Sequence, residues 1–138
     1  MSTEANKALI RRYREIHNQG NLVGLDEIVA TDLISHNGLL GLPPGLEGGK
    51  MAHQFFTQAF DTTVTTDDLV AEGDKVVERF TAHIKHIGPF MGFPATGKSC
   101  TTTGMSVFRI ANGKIVEHWG ENDALGLMQQ LGMIPGQG

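Results

Sequence analysis

The segment Phe108–Gly132, FRIANGKIVEHWGENDALGLMQQLG, carries the strongest signal for the fold of this chain. It contains Asn112-Gly113, a strong signal for a two-residue hairpin because both residue types tolerate the positive φ that a type I′ turn needs. The apolar and β-branched residues on either side predict two antiparallel strands. The closing ALGLMQQLG predicts a helical turn or two that packs back on them.

A second hairpin signal, Gly73-Asp74, lies further upstream and joins a β-rich run to KVVERFTAHIKHI at residues 75–87. This segment alternates with a period of two, as a half-buried strand does. Together the two turns predict an antiparallel meander of long strands. One face of residues 75–87 carries Val76, Phe80, Ala82, Ile84 and His86, and the other carries Val77, Arg79, Thr81, His83 and Lys85.

The N-terminal half has helical spacing instead. Residues 4–19 place apolar side chains three and four apart, a short second helix follows, and residues 50–60 predict a third. Helices followed by a meander are typical of an α+β fold. We expect one domain over residues 1–138, with a curved antiparallel β-sheet wrapped around N-terminal helices and forming a cone with a deep apolar pocket.

The composition of the chain argues against several classes of function. The chain has 138 residues, a formal net charge of −4 and one cysteine, Cys100. The single cysteine excludes an internal disulfide framework and a cysteine-rich zinc site. The negative charge argues against nucleic acid or an anionic membrane as the partner. Because no apolar run reaches ~20 residues and the first residues do not resemble a signal peptide, we expect a cytoplasmic protein.

Glycine is enriched, with 18 residues, and five of them fall in GLLGLPPGLEGG at residues 38–49. We expect this segment to be one long loop. Its leucines and prolines between glycine hinges suit a lid over a hydrophobic ligand, or equally a dimer contact.

The chemically richest stretch is Glu117–Asp123. With a period of two, Trp119, Glu121 and Asp123 share one face, and the only tryptophan of the chain is expected to point inward. A carboxylate beside an indole is desolvated, which raises its pKa and suits acid/base work. The alternative is that Asp123 caps the helix that follows.

Several histidines and aromatics complete the candidate set. His36, before the glycine-rich loop, and His118, beside the tryptophan, are candidate catalytic groups. His83 and His86 form an HxxH pair, but a separation of three puts them on opposite faces of a strand, so we expect no metal site. His17 and His53 are expected to be packed or exposed rather than functional. The candidate substrate-binding residues are Tyr13, Phe56, Phe80, His86, Met105, Trp119 and Glu121.

Three segments carry a resemblance to a known family. They are HNGLLGLPPGLEGGKMAHQFF, LVAEGDKVVERFTAHIKHIGPFMGFPATGK and, above all, the opening stretch FRIANGKIVEHWGENDALGLMQQLG. From about Asn6 to Pro135 the chain resembles the SnoaL-like polyketide cyclases of the nuclear transport factor two-like superfamily.

The resemblance implies a homodimer that uses no metal or organic cofactor and closes a ring of an aromatic polyketide methyl ester by intramolecular aldol condensation. Asp123 matches the family's acid/base aspartate, and His36 and His118 match two family histidines. His86 falls in a segment where many members have G-x-H-x-G, although Ile84 replaces the first glycine here. The expected ligand is a small hydrophobic carbonyl compound. Two alternatives are another enzyme on this fold (an isomerase, epoxide hydrolase or cofactor-free hydroxylase) and a non-catalytic small-molecule binding protein.

Overall fold

The computed structural model describes residues 2–36 and 41–134. Within these residues, three α-helices and a five-stranded sheet confirm the α+β class. No helix in the described part of the chain is long and apolar enough to cross a membrane. The elements in chain order are α1 (Thr3–Gln19), a 3-10 helix (Val23–Glu27), β1 (Val29–Ser35), α2 (Gly45–Ala59), β2 (Phe60–Glu72), β3 (Lys75–His86), β4 (Ser99–Ala111), β5 (Lys114–Asn122) and α3 (Ala124–Leu131).

The sheet has the strand order β1-β5-β4-β3-β2. Strands β2 to β5 form the predicted antiparallel meander, with turns at Gly73-Asp74 and Asn112-Gly113. Both residues of the second turn have positive φ, 53° and 74°, as a type I′ turn requires. Strand β1, however, pairs parallel to β5. The prediction of a wholly antiparallel sheet is therefore wrong at this strand, and the sheet is mixed and open, with β1 and β2 at its edges.

The concave face of the sheet buries alternate residues against α1. Val76 on β3, Phe108 on β4 and His118 on β5 lie in one cross-strand row, and Val76 and Phe108 are fully buried. Ile10 and Ile16 of α1 belong to the same apolar cluster. The apolar side of α1 thus packs against the alternate inward residues of the strands. The burial of Val76, Phe80, Ala82 and His86 confirms the predicted inward face of β3.

The segment predicted as one long glycine loop is partly helical. Residues 37–40 lie outside the described part of the chain, whereas Gly45, Gly48 and Gly49 belong to α2. Position 48 of α2 requires a glycine, because a side chain there would clash with the carbonyl oxygen of Pro43. This glycine therefore permits close packing of the chain on the helix rather than flexibility.

Two neighbouring glycines of α2 give a matched test. Gly48→Ala is expected to lower the free energy of unfolding by about 1–3 kcal/mol, because the methyl group overlaps Pro43. Gly49 has open space around its Cβ position, so Gly49→Ala is expected to raise that energy by about 0.5–1 kcal/mol through helix propensity. Urea unfolding of both variants checks the prediction, and effects of the same sign would contradict it.

Candidate functional site

The two faces of β5 separate the predicted site residues. Trp119 lies opposite Val107, and Glu121 lies opposite Met105, which is 54% exposed. His118 lies opposite the buried Phe108 and therefore on the concave face. The prediction that Trp119 and Glu121 point inward is wrong: both are on the outer face, and so is Met105. Trp119 and Glu121 share one face of β5, as predicted, but the pairing of β5 with β4 places that face on the outside of the sheet.

His36 lies with Trp119 on the outer face. The two rings are stacked, with centroids 4.8 Å apart and an interplanar angle of 6°. His36 Nε2 is 2.7 Å from Glu117 Oε2, and Arg109 Nε donates to Glu117 Oε1 at 2.8 Å. The hydrogen bond from His36, reinforced by that from Arg109, lowers the pKa of Glu117. The structure thus groups the His36 side chain with an outer ion pair. The backbone N–H of His36 donates to the carbonyl oxygen of His118 at 3.0 Å, but the two imidazoles lie on opposite faces of the sheet.

His118 faces the concave side of the sheet. Its ring centroid is 4.9 Å from that of Phe108, and its Nε2 is 3.3 Å from the hydroxyl oxygen of Ser106. Burial, reinforced by the Arg14 guanidinium, lowers the pKa of His118 to about 4. The imidazole is therefore neutral at pH 7, with one N–H to donate and one nitrogen to accept a proton.

A buried ion pair lies beside His118. Arg14 of α1 donates from Nη2 to Glu78 Oε1 at 2.5 Å and from Nε to Oε2 at 3.0 Å. Thr66 donates to the same Oε2 at 2.7 Å, and the Glu78 side chain is fully buried. The guanidinium carbon also lies 5.5 Å from the centroid of the Phe80 ring. This bidentate arrangement satisfies both charges, as a charge inside an apolar core requires.

Sequence analysis missed Arg14 and Glu78, although a signal for each was present. Glu78 falls between Val76 and Phe80 on the inward face of β3, where an acidic residue calls for a buried partner. Arg14 lies four residues after the buried Ile10, on the packed side of α1. Their partnership spans 64 residues, so only the folded chain identifies it.

Two helix histidines extend this polar group. Arg14 Nη1 is 3.4 Å from His17 Nδ1, and His17 Nε2 is 3.3 Å from His53 Nδ1 on α2. Burial, followed by the nearby positive charge of Arg14, lowers the pKa of His17 to about 3. His17 and His53 are packed against each other, one of the two expected states, and they also belong to a series of hydrogen bonds that starts at the ion pair.

Aromatic rings form the walls around these groups. Tyr13 contacts Phe108 edge-on at a centroid distance of 5.3 Å, and burial raises the pKa of its hydroxyl. Phe80 is buried in the row that contains Gly104, where an added Cβ would lie 2.5 Å from the ring. We call the whole set the concave-face cluster; it comprises Tyr13, Arg14, His17, His53, Thr66, Glu78, Phe80, Ser106, Phe108 and His118.

Asp123 lies at the end of β5 and caps α3. Its Oδ1 accepts a hydrogen bond from the backbone N–H of Gly126 at 2.9 Å, and the residue is exposed. The capping alternative is therefore confirmed. Asp123 and His118 are five residues apart on an extended strand, about 17 Å of backbone. An acid/base role for Asp123 stays a prediction, and it requires a ligand that reaches along the strand to this end of the sheet.

The other predicted site residues lie elsewhere. His86 is fully buried, with Nδ1 3.2 Å from the backbone N of Thr96 and its ring 5.3 Å from that of Phe60. Phe56 is 40% exposed on α2 and contacts Phe90. His83 is exposed whereas His86 is buried, which agrees with opposite faces for this pair. Within residues 2–36 and 41–134, no three His, Cys, Asp or Glu side chains form a group that could hold a metal ion.

Two open clefts are lined by described residues. One, of about 300 Å³, lies between β2, β3 and β4 beside His83 and Cys100. The other, of about 260 Å³, lies beside Asn6 and Gly73. Neither is lined by a residue of the concave-face cluster, so the deep apolar pocket stays a prediction.

The neutral histidines of the cluster make stability depend on pH. A histidine in the unfolded chain titrates near 6.5, whereas the pKa of folded His17 is about 3 and that of folded His118 about 4. Between these values the unfolded chain binds more protons, so lowering the pH favours unfolding. We expect the two residues to contribute no pH dependence above about pH 7, and each to lower the free energy of unfolding by at most about 1.4 kcal/mol per unit between about pH 6 and 4.

Urea unfolding at a series of pH values measures this dependence. His118→Asn removes one contribution and is expected to reduce the slope below pH 6. His83→Asn replaces an exposed histidine and is expected to leave the slope unchanged. Equal slopes in the wild type and in His118→Asn would contradict the assignment.

Known proteins are similar to this chain over most of its length. The family model described as SnoaL-like polyketide cyclase matches residues 7–131. The aklanonic acid methyl ester cyclase DnrD of Streptomyces peucetius is 29% identical over 136 residues, covering 96% of this chain and 92% of the relative. The structure of TsrD from Streptomyces laurentii is similar with a TM-score of 0.85 and 31% identity, covering 97% and 99% of the two chains. That of IdmH from Streptomyces antibioticus has a TM-score of 0.83 and 35% identity, covering 92% and 98%.

Proposed function

Because the chain belongs to the SnoaL-like polyketide cyclase family, we propose that it closes a ring in a small hydrophobic carbonyl compound by a cofactor-free intramolecular aldol condensation. The name of the relative DnrD, an aklanonic acid methyl ester cyclase, supports a cyclase-type function and suggests the substrate class. An aromatic polyketide methyl ester is accordingly the first compound to test.

The concave-face cluster is the observation that carries this proposal. It combines aromatic walls, from Tyr13, Phe80 and Phe108, with a neutral imidazole at His118. Small-molecule sites have this composition: mostly apolar surface with a few fixed polar groups that orient the ligand. An enolate-forming reaction needs in addition a proton acceptor and a donor to the developing negative oxygen.

Asp123 and His118 act on the substrate in this proposal. Asp123 removes a proton from the carbon between two carbonyl groups, and the resulting enolate carbon forms a bond to a ketone carbon of the same molecule. The ketone oxygen becomes an alkoxide and takes up the proton that Asp123 removed, which regenerates the carboxylate, so the product is an isomer of the substrate. The neutral His118, five residues from Asp123 along β5, orients the substrate by a hydrogen bond to an oxygen away from the reacting carbons. His36 lies on the outer face and is assigned no step.

Incubation with aklanonic acid methyl ester tests the proposal. The expected product has the mass of the ester, one ketone fewer and one new tertiary alcohol, as seen by mass spectrometry and ¹³C NMR. A product that has gained water or an oxygen atom would point to an epoxide hydrolase or a hydroxylase. Binding of the ester without conversion would contradict the cyclase proposal and favour a binding protein.

We also propose that the outer face of the sheet joins two copies in a homodimer. Val70, Val77, Val107 and Trp119 lie opposite one another across β2, β3, β4 and β5 and form an apolar row. Val70 is 64% exposed, and Met105 in the next row is 54% exposed. A contiguous apolar row of this kind, bordered by the outer ion pairs, is typical of an interaction surface.

Val107→Lys is expected to convert the dimer to a monomer, because it places an unpaired charge at the centre of the row. Val23→Lys, on the 3-10 helix at 76% exposure, is the matched control and is expected to remain dimeric. Sedimentation velocity distinguishes the two states. A monomeric wild-type protein would contradict the dimer proposal and leave the cyclase proposal unaffected.

A further inference from the structure

A chain of four side chains runs from the buried core to helix α2. It begins at Glu78, which is fully buried and holds Arg14 by two hydrogen bonds. Arg14 Nη1 continues it to His17 Nδ1 at 3.4 Å, and His17 Nε2 to His53 Nδ1 at 3.3 Å. The chain thus links a β3 carboxylate to a histidine that is only half buried.

The guanidinium of Arg14 fixes the direction of the two hydrogen bonds that follow it. A guanidinium group only donates, so His17 Nδ1 must accept and cannot carry a proton. The proton of the neutral His17 ring is then on Nε2, which donates to His53 Nδ1. His53 Nδ1 is therefore an acceptor as well, and the proton of its neutral ring is on Nε2.

The outer end of the chain is available to a ligand. Among the described residues, His53 Nε2 has no hydrogen-bond partner, and the side chain is half exposed. The His17 and His53 rings are 4.6 Å apart at their centroids, and His17 also contacts the ring of Tyr13. His17 thus lies between Tyr13 and His53, and the N–H of His53 is on the side of its ring away from His17, at the half-exposed end of these hydrogen bonds.

We propose that His53 donates a hydrogen bond from Nε2 to a carbonyl or enolate oxygen of the substrate. The inference rests on the proposed function for the identity of the ligand, but the direction of the hydrogen bonds from Arg14 to His53 does not depend on that function. The positive charge on Arg14 polarises the N–H of His17, which in turn polarises that of His53. The ligand class is a ketone, an enolate or another planar oxyanion, for which a fixed donor in a partly dry site is effective.

Arg14 and His17 are positioning residues in this arrangement. They do not contact the substrate, and they set which nitrogen of His53 carries the proton. A purely structural role for His53, as a packing contact between α1 and α2, would require neither this tautomer nor a ligand at Nε2.

Two substitutions distinguish the role of His53 Nε2 from that of Nδ1. His53→Gln places an amide N–H near the former Nε2 position, whereas His53→Asn places its amide near Nδ1, where it reaches only His17. His83→Asn on the exposed side of the sheet is the matched control. If the Nε2 donor acts on the transition state, His53→Asn lowers kcat for the ester by about 10²-fold with little change in KM, whereas His53→Gln restores most of the loss.

The tautomers of the two histidines and the binding of 2-naphthol test the proposal without any turnover. ¹⁵N NMR at pH 7 is expected to show both His17 and His53 as neutral Nε2–H tautomers. 2-Naphthol, whose ionised form is a planar oxyanion, is expected to bind with a larger naphtholate fraction to the wild type and to His53→Gln than to His53→Asn. An Nδ1–H tautomer at His53, or an equal naphtholate fraction in all three proteins, would overturn the proposal. Failure of the ester assay alone would overturn only the cyclase function.

Discussion

Asp123→Asn is expected to lower kcat for ring closure of aklanonic acid methyl ester by about 10²–10⁴-fold, because an amide cannot take up the carbon-bound proton. The same substitution keeps the helix cap, since asparagine accepts the Gly126 N–H about as well as aspartate does. The free energy of unfolding is therefore expected to change by less than about 0.5 kcal/mol. Steady-state kinetics and urea unfolding of one protein preparation measure both quantities.

Asp123→Ala is the control for the cap. It removes both the carboxylate and the hydrogen bond to Gly126, so it is expected to lose activity and about 0.5–2 kcal/mol of stability. Full turnover by Asp123→Asn would show that Asp123 serves only as a cap. The base would then be sought among the neutral imidazoles of the concave-face cluster, with His118 first.

Arg14→Met is expected to lower the free energy of unfolding by about 3–5 kcal/mol. The substitution leaves Glu78 buried without its cation, since the remaining donor from the described residues is the hydroxyl of Thr66. The double substitution Arg14→Met/Glu78→Leu removes both charges and fills their space with apolar atoms. It is expected to be more stable than the single variant, because most of the single loss comes from the uncompensated charge.

Urea unfolding of the wild type, the single and the double variant completes the comparison. An Arg14→Met variant that loses less than about 1 kcal/mol would show that water reaches the pair, as it does at surface ion pairs. A double variant that is no more stable than the single one would assign the loss to packing of the arginine stem instead.

Local signals predicted much of the fold. The turn at Asn112-Gly113 needs two residues that tolerate positive φ, and the adjacent strands have the expected alternation, so the β4–β5 hairpin follows from neighbouring residues alone. The end of α1 follows in the same way, since Gly20 adopts the left-handed conformation there. The parallel pairing of β1 with β5 could not be predicted, because Val29 and Ile115 are 86 positions apart in the sequence.

The candidate site was predicted less completely, for a related reason. Parity along Glu117–Asp123 correctly groups Trp119 with Glu121 and places His118 on the opposite face. Parity cannot say which group faces the helices. That choice depends on the pairing of His118 with the buried Phe108, and it places the only tryptophan outside, stacked on His36.

The local sequence alone therefore establishes the helix and strand periodicities, the hairpin turns, the helix caps and the α+β class, because each depends on residues within a few positions of one another. The tertiary structure alone decides which face of β5 is inside, that Arg14 meets Glu78, and that His17 joins His53 across two helices. These are contacts between distant segments, and their geometry depends on strand register and helix packing. The hydrogen-bond direction that places a donor on His53 follows only once those segments are in contact.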